Sequence, residues 1–216
     1  LNKLEKKAIV KVVKSFNLQA FKNETFEKYI FLNSKSVKNF KSQYPNFHKH
    51  FQKFKNILQK RYNYNRKIKY WDWVFLRSYD LISSKRNKIC IPCKLRISNF
   101  NDIKFCYVKN EFLLTQDVTS IYLKQNVKES IFYILGFLNS SYIKKWIFIN
   151  NNNRGNVLEF SETPLNSIPI RLINWNVKKE VNIYNEIVDL TKNIIKKYDL
   201  NLLKKLDNEI KSLLNF

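Results

Sequence analysis

Apolar positions recur along this chain with two different periods, and the switch between them organises it. Leu4 to Leu18, "LEKKAIVKVVKSFNL", sets apolar residues at 9, 12, 13 and 16, which is helical spacing. Lys28 to Asn33, "KYIFLN", reads as a short strand. The stretch "QYPNFHKHFQKFKNILQKRY" then places Phe47, Phe51, Phe54, Ile57 and Leu58 on one helical face, with Pro45 suited to the first turn. The opposite face is a basic stripe of Lys49, Lys53, Lys60 and Arg61, read as solvated.

From Ile68 to about Lys124 the period shortens. Residues 68–72, 89–91, 105–108, 112–114 and 120–123 are short β-rich runs separated by Ser, Asn, Asp and Lys. Lys128 to Phe148 returns to a helical pattern. "NNNNRGNVLEF" reads as a polar loop entering a strand, and "TPLNSIPI" as a connection limited by proline. Lys178 to Phe216 is strongly helical, with a break at Asp199-Leu200-Asn201. The predicted fold is α+β: a small mixed or antiparallel β-sheet with packed helices and a C-terminal helical extension. The division is 1–177 and 178–216. The extension's wide apolar face fits packing on its own domain or docking against a catalytic domain or another subunit.

Composition adds a core and a charge. Of 216 residues, 44% are hydrophobic, enough for a folded interior. Forty Lys and Arg against 17 Asp and Glu give a net charge of +23, which attracts polyanions. Because Lys, Asn, Ile, Phe and Tyr all have A/T-rich codons, part of that charge reflects genome composition. The chain opens on Leu and holds no Met, so it is read as a piece of a longer protein. Three Cys and no signal peptide argue against a disulfide framework and for a cytoplasmic setting. The longest apolar run, Ile131 to Leu138, is too short to span a membrane.

Catalytic chemistry is not legible. Adenine methylation needs an Asn-Pro-Pro-aromatic type loop and a Gly-containing cofactor turn. The four prolines (45, 92, 164, 169) lie in no such loop, and Gly136 and Gly155 stand too far apart for a phosphate cradle. No catalytic residue, metal site or cofactor site is therefore assigned to the chain. Cys90-Ile-Pro-Cys93 sits in a β-like run and reads as strand cysteines rather than a metal or redox pair.

The order of the pieces resembles a known family. "YPNFHKHFQKFKNILQKR", "YWDWVFLRSYDLISSKRNKICIPCKLR", "FLLTQDVTSIYLK", "YILGFLNSSYIKKWI", "RGNVLEFSETPLNSIPI" and the tail "LKKLDNEIKSLLNF" are similar, in that order, to segments of the TaqI-like C-terminal specificity domain. That is the target-recognition domain of adenine-specific DNA methyltransferases and fused restriction–modification enzymes. The resemblance runs from about Leu4 to the end. It implies sequence-specific recognition of double-stranded DNA. It also implies a catalytic partner using S-adenosylmethionine, either an N-terminal methyltransferase domain or a separate subunit, in a parent that can also carry an endonuclease. A stand-alone specificity subunit and a basic RNA- or membrane-associating module without sequence preference are the alternatives.

Candidate DNA contacts fall in the β-region loops. They are Arg77, Lys85, Arg86, Lys88, Lys94, Arg96, Gln116, Asp117, Asn153 and Arg154. In "KYWDWVFLR" an extended strand would set Trp71, Trp73 and Phe75 on one face. Such a row reads as core packing, with stacking on a base as the alternative.

Overall fold

The segment 4–18 resolves into three pieces instead of one helix. They are α1 (Lys3–Lys7), β1 (Ile9–Val13) and a 3-10 turn (Ser15–Asn17). Ile9, Val10, Val12 and Val13 are β-branched, which disfavours a helix and suits a pleated surface. β1 pairs antiparallel with β3 (Glu27–Ile30), Ile9 opposite Ile30. The computed structural model describes residues 1–34, 36–61, 68–73, 86–150 and 153–215, with the backbone alone at 153 and 154. The chain forms two units: Leu1–Val12 with Glu27–Ser84, and Val13–Phe26 with Lys85–Phe216.

In the first unit, α2 (Phe40–Gln43), α3 (Pro45–Gln52) and α4 (Lys55–Lys60) follow β3. Pro45 occupies the first turn of α3, where its missing N–H costs nothing. The helix expected from Pro45 onward is interrupted at Lys53 and Phe54. A small core gathers Ala8, Leu32, Val37, Phe40, Phe47 and Trp71.

The second unit holds a four-stranded mixed sheet in the order β2 (Phe21–Lys22), β6 (Cys106–Val108), β4 (Lys88–Pro92), β8 (Val118–Ile121). β2 and β6 run parallel; β4 is antiparallel to both its neighbours. Central β4 is buried on both faces. Ile89 and Ile91 enter the main core, while Cys90 enters a second cluster with Cys106, Val13, Leu18, Val108 and Leu114. That is why this strand reads as an unbroken apolar run. β7 (Phe112–Leu114) lies between β6 and β8 in sequence. A separate antiparallel sheet is ordered β5 (Lys94–Arg96), β10 (Val157–Glu159), β9 (Asn153–Arg154).

Helices α5 (Ile131–Asn139), α6 (Ser141–Asn150), α7 (Glu162–Asn166), α8 (Lys178–Lys196) and α9 (Leu200–Leu214) complete the unit. Ser140, with ψ 152, is extended and splits the expected 128–148 helix in two. The break expected near Asp199 is present: its carboxylate caps α9 by accepting from Asn201 N at 2.7 Å. Ile183, Ile187, Leu190 and Ile194 of α8 and Leu206, Ile210 and Leu213 of α9 share one core with Tyr133, Leu135, Phe137 and Ile89. These residues of α8 and α9 thus pack within their own unit. A Cβ on Gly136 of α5 would lie 2.4 Å from Thr191 Oγ1 of α8, so only glycine allows this approach. Asn139 fastens α5 to the sheet: its Oδ1 accepts from Phe105 N at 3.0 Å and its Nδ2 donates to Phe105 O at 2.8 Å. Small mixed sheets with packed helices make the fold α+β, as the sequence pattern predicts.

Candidate nucleic-acid interface

The end of β4 is a corner where three sequence-distant segments meet. Past Pro92, Cys93 N donates to Asp117 O at 2.9 Å, and Phe160 N donates to Cys93 O at 2.8 Å. The Cys93 thiol donates to the Gln116 carbonyl at 3.3 Å and accepts from Thr119 Oγ1 at 3.1 Å. The chain then leaves as β5 and pairs with β10: Lys94 opposite Glu159, Leu95 opposite Leu158, Arg96 opposite Val157. Alternation decides the faces. Leu158 is fully buried and Leu95 half-buried, so Lys94 and Arg96 stand exposed on the other side.

Gly155, at φ +67, turns the chain from β9 into β10. Val157 pairs with Arg96 on one side and Arg154 on the other, so one row crosses all three strands. Ile97 N donates to Asn156 O at 2.9 Å and ties the turn to the end of β5. Lys94, Arg96, Gln116 and backbone positions 153 and 154 are therefore collected at one corner. Lys94 Nζ lies 3.0 Å from Glu159 Oε1 in an exposed pair, a geometry that contributes little to stability.

No family model matches the chain. It is 38% identical over 203 residues to the Type II methyltransferase M.HindII of Haemophilus influenzae, covering 94% of this chain and 39% of that protein. M.HincII, also from Haemophilus influenzae, is 37% identical over the same length, at 94% and 40%. The Type II methyltransferase M.MjaIV of Methanocaldococcus jannaschii is 31% identical over 220 residues, covering 100% of this chain and 71% of that protein. The chain belongs to the Type II methyltransferases. It spans about two fifths of the length of the two Haemophilus relatives. Its fold is also that of part of the Type IIL restriction–modification enzyme MmeI, solved in complex with DNA. The TM-score is 0.64 at 14% identity, over 99% of this chain and 29% of MmeI.

Other candidate residues of this Type II methyltransferase chain lie elsewhere. Arg86 is exposed at the opposite end of β4, about 20 Å of strand away, donating to the Leu123 carbonyl and 5.6 Å from the Tyr122 ring. Lys88 departs from the expected surface cation. It is fully buried, its ammonium donates to Phe112 O at 2.7 Å, and burial lowers its pKa despite the opposing influence of Cys90. As the first residue of a central strand, it has no route to solvent on either face. Asp117 is half-buried. Burial raises its pKa, but bonds from Ser15 N and Thr115 Oγ1 outweigh this and hold it below the ordinary value. It anchors the 3-10 turn. Arg77 and Lys85 lie outside the described residues.

Trp71 and Trp73 are not in a strand. Asp72 N donates to Lys69 O at 2.9 Å, closing a turn, and Asp72 Oδ1 accepts from Ser34 N at 2.9 Å. Arg61 Nη2 donates to the carbonyls of Lys69 and Asp72 at 3.0 and 2.6 Å. Trp71 is buried and stacks on Phe40 at 4.8 Å, whereas Trp73 packs on Phe31 and Tyr29 at 5.1 and 5.8 Å. Both rings thus have partners inside the first unit.

Of the three cysteines, Cys90 and Cys106 are buried opposite each other, and burial raises both thiols, Cys106 to about 12. Among the described residues no group of three His, Cys, Asp or Glu could hold a metal, and no helix is long and apolar enough to cross a membrane. Sequence reasoning passed over Glu159. The alternation in Val157-Leu158-Glu159 signals that it faces away from the core, while its place beside Lys94 comes from β5–β10 pairing.

Proposed function

We propose that the chain is the target-recognition part of an adenine-specific DNA methyltransferase of a restriction–modification system. In this reading it binds a short duplex sequence. The transfer from S-adenosylmethionine is made by a catalytic domain or subunit in the part of the relatives that this chain does not span. The observation that carries the reading is the convergence of Lys94, Arg96, Gln116 and the 153–156 turn on one exposed corner. Exposed cations on a strand held by pairing, with an exposed glutamine on the adjoining segment, are suited to phosphate grip and base-edge contact. The fold shared with MmeI, itself solved with DNA, supports the same reading.

Selection from a random duplex library tests it. The chain should enrich one short motif at moderate salt. Arg96→Ala should relax one position of that motif, weakening the selected duplex by about 1–3 kcal/mol while changing scrambled duplex much less. Recovery of no motif, with all binding lost as salt rises, would identify a charge-driven module instead.

A further inference from the structure

The proposed recognition corner lies in the second unit, but the charge is concentrated in the first. The first unit carries 17 Lys and Arg against 4 Asp and Glu in 70 residues, net +13. The second carries 23 against 13 in 146 residues, net +10. From Lys28 to Trp71 there are 12 Lys and Arg and not one Asp or Glu. Codon composition raises Lys throughout a chain and does not empty one stretch of acids. Two of the four acids of the first unit are consumed internally. Glu5 is fully buried and accepts from Asn2, Asn46 and Phe47, while Asp72 is buried and accepts from Ser34 N.

Within this stretch, α3 turns Phe47 inward and leaves Lys49 and Lys53 exposed one turn apart; Lys60 is exposed in the last turn of α4. Beside them Phe54 is 44% and Ile57 71% exposed, and the His50 ring lies 5.3 Å from that of Phe54. Like charges one turn apart repel, and apolar side chains this exposed gain nothing from the fold. A polyanion with apolar sugar faces offsets both.

Resting on the duplex reading above, we propose that the exposed face of α3 and α4 is a second, sequence-independent DNA contact in which Lys49, Lys53 and Lys60 neutralise phosphates. Its role is affinity, whereas the corner at Arg96 supplies preference.

The test is fluorescence anisotropy of the whole chain on mixed-sequence duplex across a salt series, with the triple variant Lys49→Gln, Lys53→Gln, Lys60→Gln. The slope of log affinity on log salt should become shallower by about 2 to 3, since each lost phosphate contact removes roughly 0.9. Affinity should fall equally for selected and scrambled duplex. Should the triple variant not fold, Lys53→Gln alone should lower the slope by about 1. An unchanged slope in a folded variant overturns the proposal and leaves the recognition reading standing. So does a variant that loses only binding to anionic phosphatidylglycerol vesicles. A wild-type chain that ignores duplex altogether sinks both.

Discussion

Glu5 gathers four N–H donors on two oxygens. Oε2 accepts from Asn2 N and Asn46 Nδ2, both at 2.8 Å; Oε1 accepts from Asn46 N at 2.7 Å and Phe47 N at 3.2 Å. One carboxylate therefore closes the capping box of α1 and satisfies the first amides of α3, which have no partner within their own helix. Burial alone would raise its pKa, but the bonds from Asn46, Asn2 and Phe47 together lower it from the ordinary 4.5. The sign follows. A folded value below the unfolded one gives stability that is present above pH 4.5 and lost as pH falls through the folded value. Glu5→Gln sets an amide donor against two donors and should destabilise by about 2 kcal/mol or more at neutral pH. In denaturant titrations the gap between wild type and variant should narrow as pH drops below 4.5. A gap constant with pH would mean that the charge is not what holds the two helices.

At the level of elements, legibility followed the range of the interactions. The α8 and α9 helices were readable because Ile183, Ile187, Leu190 and Ile194 recur at helical spacing and the polar Asp199-Leu200-Asn201 step marks the break between them. The segment 4–18 was not, because apolar residues at 9, 12 and 13 fit a helix face as well as a strand buried on both sides. Pairing with β3, nearly twenty residues away, decides between them. Trp71 was legible as packing but not as part of a turn, since the turn depends on Arg61 and on Ser34. Lys94 and Arg96 were singled out as cations, yet their place beside the 153–156 turn comes from β5–β10 pairing, which no local pattern encodes. Gly136 shows the converse, a local signature with a long-range cause. Gly136→Ala should gain up to about 1 kcal/mol of helix propensity, yet it drives a methyl into Thr191 Oγ1 and lies 3.3 Å from Ile187 Cγ2. Thr191 is fully buried on a stiff β-branched side chain, so overpacking should win by about 1–3 kcal/mol. Adding Thr191→Ala should recover much of that loss in a double-mutant cycle; simple additivity would mean that the two helices move apart instead.

For the whole molecule, a net charge of +23 acts on folding as well as on binding. The folded chain holds its cations closer together than the unfolded chain does, so self-repulsion disfavours the folded state. Added salt shortens the reach of that repulsion to about 10 Å near 0.1 M. The thermal midpoint should therefore rise by several degrees as sodium chloride goes from about 20 to 200 mM, then level off once exposed charges are screened. Duplex DNA should act through the same charges in the opposite order. On the proposed reading it binds the folded state and that binding weakens with salt, so its increment to the midpoint should be largest at about 20 mM and shrink by about 200 mM. Scanning calorimetry with and without mixed-sequence duplex separates the two effects. A midpoint indifferent to salt without DNA would place the cations too far apart to repel. The concentration of charge in residues 28–71, where 12 basic residues meet no acid, argues against that outcome.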